Sequence, residues 1–222
     1  LYSGTSITVP TAPLTSTGSE TKLLLNMTNG QAIDSAAQHN LELYGNADTS
    51  TTQAKFGTAS LAVDGTGDYV TLPYQSFVPF GTGDFTIESW VYFVAGTGSK
   101  QQICQLINGY LNSAVRGPAL GADASTDMWR WYYGTTGASH GSVGPSVDTW
   151  YHFAWVRNSG TSKVYIDGTE ILSASDSTDY TDTYFVIGGY YSTTYLLSGY
   201  IDEFRMSSMA RYTGNFTPTK KA

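Results

Sequence analysis

The chain has 222 residues, 41% of them hydrophobic and only 13% charged, which is enough apolar material for one substantial core. With 18 acidic residues against 11 basic ones and no basic run longer than Lys220-Lys221, it lacks the positive stripe that a phosphate backbone needs, so nucleic acid is not an expected partner. No apolar stretch approaches 18 residues, so no membrane insertion is expected, and Cys104 stands alone, so no intrachain disulfide can form.

Residues 1–20 are rich in Ser, Thr and Pro, with Pro10 and Pro13 favouring an extended path, and read as a linker. A β-sandwich is then expected over 21–217, leaving 218–222 as a tail or a link to a next module. Period-2 segments broken by Gly, Asn and Asp predict strands at 22–27, 59–64, 68–73, 83–93, 101–107, 128–133, 150–158, 162–167, 184–188 and 198–206. No 3.6-residue apolar period persists for three turns, so helix is expected only as a turn near 207–212. The Asp64-Gly65-Thr66-Gly67-Asp68 run reads as a tight reversal. Cys104 lies in the apolar run Ile103-Cys104-Gln105-Leu106-Ile107 and reads as a small buried hydrophobe. Asn158-Ser159-Gly160 and Asp167-Gly168 close two hairpins, so 150–172 reads as a three-stranded meander. The fold class is therefore all-β and antiparallel.

The two ends resemble each other. Leu1-Tyr2-Ser3-Gly4-Thr5, Ile7-Thr8 and Pro10-Thr11 echo Arg211-Tyr212-Thr213-Gly214-Asn215, Phe216-Thr217 and Pro218-Thr219. Such an echo suggests tandem copies with a period of about 210 residues, and hence neighbouring copies of the same module as partners.

A glycoside hydrolase needs two carboxyl groups facing each other across one sugar bond. The five glutamates are Glu20, Glu42, Glu88, Glu170 and Glu203, and none belongs to an alternating acidic run. Asp202 and Glu203 are adjacent and would face opposite sides of a strand. His39 and His140 read as loop residues and His152 as a strand residue packed on aromatics, with no metal-ligand spacing among them. No catalytic residue is assigned, and the chain is not expected to be an enzyme. Alternation puts Glu88, Trp90 and Tyr92 on one face of 83–93, and Asp202, Phe204 and Met206 opposite Ile201, Glu203 and Arg205 in 198–206. Glu88 and Arg205 are mid-strand charges among apolar residues, and each needs a partner if covered; they are expected to form a structural ion pair on neighbouring strands. Tyr132, Tyr190, Tyr191 and Tyr195, set among Ser, Thr and Gly, are candidates for ligand contact.

Five motifs in order carry a family resemblance. They are Leu23-Leu24-Leu25-Asn26-Met27; Lys55-Phe56-Gly57-Thr58-Ala59-Ser60-Leu61 with Asp64-Gly65; Gly83-Asp84-Phe85-Thr86-Ile87-Glu88-Ser89-Trp90-Val91; Trp150 to Arg157 leading to Val164-Tyr165-Ile166-Asp167-Gly168; and Gly199-Tyr200-Ile201-Asp202-Glu203-Phe204-Arg205-Met206 closing with Ala210-Arg211-Tyr212 and Phe216-Thr217-Pro218. Together these resemble laminin-G-like, concanavalin A-like jelly-roll modules over about residues 22–217. The resemblance implies a jelly-roll sandwich of the kind found along phage tail, fibre and other virion proteins, and so a virion, extracellular or cell-surface location. It also implies a structural Ca²⁺ held by Asn26 or Thr28, the Gly57 carbonyl and Asp202. Modules of this kind often carry Asp where this chain has Thr28, which weakens such a site; without a metal, Asp202 would accept backbone N–H groups. Three functions remain open: a surface adhesion or structural module contacting proteins or glycans, a carbohydrate-binding lectin, and a hydrolase.

Overall fold

The computed structural model describes residues 21–25, 41–72, 80–94, 100–107, 119–123, 128–133, 136–140, 144–181, 184–189 and 195–219. Every regular element among them is a strand: β1 (Thr21–Leu25), β2 (Glu42–Tyr44), β3 (Asp48–Ser50), β4 (Ser60–Asp64), β5 (Tyr69–Leu72), β6 (Phe85–Phe93), β7 (Lys100–Ile107), β8 (Ala119–Asp123), β9 (Met128–Tyr133), β10 (Thr136–His140), β11 (Trp150–Asn158), β12 (Thr161–Ile166), β13 (Thr169–Ser175), β14 (Tyr184–Ile187) and β15 (Ser198–Ser207). They form two antiparallel sheets. One runs β13-β12-β11-β6-β15-β4-β3, with β1 also paired to β15; the other runs β10-β9-β8-β7-β14-β5-β2. The chain is an all-β jelly-roll sandwich.

Alternation explains how the sheets meet. Phe85, Ile87, Val91 and Phe93 of β6 point into the space between the sheets, as do Phe153 and Trp155 of β11 and Val164 of β12. The opposite sheet answers with Val70, Leu72, Leu106, Trp131 and Phe185, all buried. Rings meet edge-on or tilted across the gap, Trp131 to Trp155 at 5.8 Å and Phe185 to Phe204 at 5.8 Å. Cys104 is buried in this core and reduced. The Asp64–Asp68 reversal carries the chain from one sheet to the other; Asp68 accepts the Asp64 N–H (3.0 Å) and the Asn46 N–H (2.8 Å).

The meander is present as β11, β12 and β13, and Asp167 (φ 50°) and Gly168 (φ 75°) both take the left-handed backbone that a tight hairpin turn demands. Arg157, at the far end of β11, points inward between the Phe85 and Tyr180 rings. Its guanidinium donates to the carbonyls of Gly81 (2.6 Å), Gly83 (2.7 Å) and Thr178 (2.6 Å), tying two connecting segments to the sheet.

Three expectations are corrected. His140 closes strand β10 rather than lying in a polar loop, because β10 pairs with β9 along its whole length. The helical turn expected near 207–212 is absent: the Thr86 hydroxyl accepts the Arg211 N–H (3.0 Å) and donates to the Met209 carbonyl (2.8 Å), so the backbone groups a helix would use are bonded to the sheet. The strict alternation expected along 198–206 breaks at a β-bulge: Asp202 opposes Trp90 and Arg205 opposes Glu88, so two residues of β15 face one of β6. Glu203, with φ 51°, is the extra residue. Ile201, Phe204 and Met206 therefore share the core, while Asp202 and Arg205 share the opposite face.

Candidate functional site

Directly paired residues in an antiparallel sheet point to the same side. The register thus lays out the outer face of the eight-stranded sheet in rows across β11, β6 and β15. They are Trp150–Tyr92–Tyr200, then His152–Trp90–Asp202, then Ala154–Glu88–Arg205, then Val156–Thr86–Ser207. The first row continues through Ala62 of β4 to Asp48 of β3.

The third and fourth rows are covered by the chain's own end. Residues 208–219 cross the sheet as an extended strap whose Ala210, Tyr212 and Phe216 pack on Ala154, Val156 and Tyr165. Tyr212 and Phe216 stack face to face at 3.6 Å, and Phe216 meets the His152 and Tyr165 rings edge-on. The strap is fastened at the meander turn, where the Phe216 N–H donates to the Gly168 carbonyl (2.9 Å) and the Glu170 N–H donates to the Asn215 side chain (2.9 Å). Any Cβ at position 168 would overlap the Phe216 carbonyl, so the turn glycine is also the strap's seat.

Glu88 lies beneath this strap, fully buried. Arg205 reaches it through Nε (2.8 Å) and a terminal nitrogen (2.6 Å), and the Tyr212 hydroxyl donates to its other oxygen at 2.7 Å. Arg211 Nε is 3.0 Å and His152 Nε2 3.4 Å away. The Glu88–Arg205 pair named from the sequence is thus the nucleus of a larger cluster that includes two strap residues. Burial by itself would raise the Glu88 pKa, but Arg205 foremost, then the His152 hydrogen bond and Arg211, hold it far below the usual carboxylate range. Because the folded-state value is depressed, the stability Glu88 contributes is complete above the ordinary Glu pKa of about 4.3 and is lost as pH falls below it. The denaturation midpoint is expected to drop more steeply below about pH 4.3 in the wild type than in a Glu88→Leu, Arg205→Met double variant, as read in urea titrations.

In the second row, Asp202 receives the Lys55 and Phe56 N–H groups on one oxygen, both at 2.9 Å, and the Glu203 N–H on the other at 2.8 Å. This holds the 51–59 segment over the sheet, with Lys55 Nζ 4.1 Å above the Trp90 ring and Phe56 edge-on to it. Of the four residues suggested for Ca²⁺, Asn26 and Thr28 lie outside the described residues, Gly57 turns with φ 69°, and Asp202 accepts three backbone N–H groups. Ca²⁺ needs six to eight oxygen ligands. Among the described residues no three His, Cys, Asp or Glu side chains come together.

The first row lies beyond these contacts, with Tyr92 buried between two half-buried rings. Tyr92 sits between Trp150 (5.4 Å) and Tyr200 (5.9 Å), both half-buried, and its hydroxyl donates to Asp148 at 3.2 Å. Burial first, and Asp148 second, raise the Tyr92 pKa, keeping the phenol a donor. The adjoining rim exposes Val94 and Val147, linked by the bonds from Val94 N–H to Ser198 and from Asp148 N–H to Phe93, while the exposed Tyr195 accepts the Gln102 N–H of β7. Asp148 (φ 58°) and Tyr195 (φ 60°) both hold the left-handed backbone, which side-chain-bearing residues seldom adopt. Of the tyrosines named from the sequence, Tyr195 is exposed, Tyr132 lies on β9 in the other sheet, and Tyr190 and Tyr191 fall outside the described residues. Neither Tyr92 nor Tyr200 stood out in the sequence as a candidate for ligand contact. Their pairing register was the missing signal.

The laminin G family of the concanavalin A-like lectin/glucanases superfamily matches residues 64–213, more than half of the chain. The chain belongs to this superfamily. Among solved structures, this concanavalin A-like chain is similar to a Trypanosoma rangeli sialidase in complex with sialic acid, with TM-score 0.69, 16% identity and coverage of 93% of this chain and 34% of that one. It is similar also to the receptor binding domain of botulinum neurotoxin C/D mosaic serotype, with TM-score 0.67, 14% identity and coverage of 87% and 49%. The binding domain of Paraclostridial Mosquitocidal Protein 1 aligns with TM-score 0.62, 15% identity and coverage of 87% and 50%. Identities this low show a shared fold, and the concanavalin A-like chain spans half or less of each of these proteins. No curated protein sequence matches it.

Proposed function

We propose that this chain is a non-catalytic adhesion module, displayed on a virion, fibre or cell surface, that works by noncovalent contact at the aromatic end of its eight-stranded sheet. The observation that carries this reading is the unequal use of one sheet face. The strap and the 51–59 segment cover its charged rows, and beside them Trp150 and Tyr200 stay half-buried on either side of Tyr92. Four of the five carboxylates buried among the described residues are committed to structure: Glu88 to two arginines and a tyrosine, Asp202 and Asp68 to backbone N–H groups, and Asp176 to Ser162, Tyr180 and the Thr178 N–H. Glycoside hydrolysis needs one carboxyl poised as an acid and a second across the sugar from it. A carboxylate held ionised beneath a strap suits neither task. The neurotoxin and mosquitocidal neighbours are binding domains, which agrees with a contact role. The echo between residues 1–11 and 211–219 supports repeated modules along a fibre.

The test pairs retention with turnover. The full chain is passed over immobilised polysaccharides and cell-surface extracts, and reducing-end release is followed in parallel. Retention without release is expected; release of reducing ends from any polysaccharide overturns the reading. Repeating the retention with chelator and with added Ca²⁺ tests whether Gly57 and Asp202 take part in an ion site.

A further inference from the structure

We infer that residues 1–11 are a second strap, fitted to the strap seat on another copy of this chain, so that in a head-to-tail array one segment closes one sandwich and leads into the next. This rests on the repeated modules of the adhesion reading and names the surface that joins them. Residues 1–11 lie outside the described residues; the seat and the strap that fills it do not.

In the strap, Tyr212, Phe216 and Pro218 are half-buried against the sheet, whereas Thr213, Gly214, Asn215 and Thr217 are exposed. The leading segment repeats this division. Tyr2, Ile7 and Pro10 match the half-buried positions, and Ser3, Gly4, Thr5 and Thr8 match the exposed ones. Each match brings the chemistry its position uses. Tyr2 carries the hydroxyl that at Tyr212 reaches Glu88 at 2.7 Å. Thr5 offers an oxygen where the Asn215 side chain accepts the Glu170 N–H. Ile7 brings an apolar side chain to the place where Phe216 meets His152 and Tyr165. Pro10 stands where the Pro218 ring lies beside Gly168. Two departures weaken the fit without changing its pattern. Leu1 stands in the place of Arg211, the more exposed of the two arginines at Glu88. Ser6 and Val9 are extra residues, which add about 7 Å to an extended chain.

Register decides the partner. Thr21 of β1 is paired with Ser207 at the end of β15, so the leading segment enters the sheet where the strap leaves it. The seat of the same copy is filled by its own strap. With a period of about 210 residues the two segments become one. The chain that leaves Ser207 of one copy crosses that copy's seat as residues 1–11, then reaches Thr21 of the next through residues 12–20. A tether of that length spans at most about 30 Å, so the Gly168 turn of one copy stands within that distance of the next copy's β1. Side-chain contacts hold the segment to one sandwich and a strand ladder holds it to the next, which makes a short joint rather than a long free linker.

The experiment starts from the full chain. In one variant the sequence of residues 1–11 replaces residues 211–219; in a second, a Gly-Ser strap of the same length does. The first is expected to melt within about 6 °C of the wild type and the second at least about 10 °C lower. Leu1→Arg in the transplanted segment should raise the midpoint, because it restores a cation at Glu88. The Glu170 amide should keep its protection from exchange in the first variant and lose it at least about tenfold in the second. Should the Gly-Ser chain fail to fold, Tyr2→Ala in the transplanted segment serves instead and should lower the midpoint by about 5 °C. A two-copy protein, residues 1–210 followed directly by residues 1–222, supplies the second measurement. The Ile7 amide at its junction should be protected, as the Gly168 carbonyl holds the Phe216 amide, and the Ile7 amide at its N-terminus should exchange freely. A chain with the transplanted segment that does not fold or melts with the Gly-Ser chain overturns the inference, and so does a junction no better protected than the N-terminus. Either result leaves retention at a surface standing, whereas polysaccharide turnover overturns the adhesion reading and leaves the shared strap untouched.

Discussion

Glu88→Gln is expected to cost about 3–5 kcal/mol of folding free energy, the penalty for removing one partner from a buried ionic cluster. The change keeps the shape of the side chain and removes its charge. Arg205 then remains buried without its anion, and Arg211, less deeply covered, loses the contact that draws it to the sheet. The Tyr212 hydroxyl loses a charged acceptor, and with it the strap loses one of its polar fastenings. The loss should appear in urea as a shifted midpoint with an unchanged slope, and hydrogen exchange should rise first at Arg211 and Phe216, whose N–H groups fasten the strap. A Glu88→Leu, Arg205→Met pair should recover much of the loss, since replacing a buried ion pair with apolar side chains of similar size is often neutral or favourable. If Glu88→Gln shifts the midpoint by less than about 1 kcal/mol, the cluster is not what holds the strap.

Arg157→Met should be comparably damaging, at about 4 kcal/mol, for a different reason. The side chain caps three carbonyls on two connecting segments while lying against Phe85 and Tyr180. Met fills a similar volume but leaves the carbonyls of Gly81, Gly83 and Thr178 without this donor. The Gly81 carbonyl keeps the Tyr180 N–H, so the loss falls on the Gly83 and Thr178 carbonyls, at about 1–3 kcal/mol each and less than fully additive. Arg157→Lys should rescue little, because one ammonium cannot reproduce a planar fork reaching three carbonyls. The Gly81 and Tyr180 amides, which bond each other's carbonyls at 2.9 Å, are the expected sites of faster exchange. Protection unchanged at both would show that the segments hold without the guanidinium.

Why was so much of the sandwich legible, and where did legibility stop? Strands β6, β11 and β15 alternate apolar and polar residues over nine or ten positions, long enough for the period to stand out. β2 and β3 are three residues each, and β8 and β10 are rich in Gly and Ala, so neither length nor composition marks them. The Glu88 and Arg205 positions could be matched because a charge flanked by apolar residues must find a partner. Arg211 and Tyr212 could not be assigned to the same cluster, since nothing local says that the segment after the last strand folds back over the sheet.

Period-2 alternation and turn chemistry are properties of consecutive residues, so the chain's own order determined that it is all-β, antiparallel and built around the 150–172 meander. Which residues share a row is a property of register, and register depends on the partner strand and on single insertions such as the bulge at Glu203. Only the tertiary structure could therefore bring Trp150, Tyr92 and Tyr200 together, turn Asp202 away from Phe204, and lay the chain's end over Glu88.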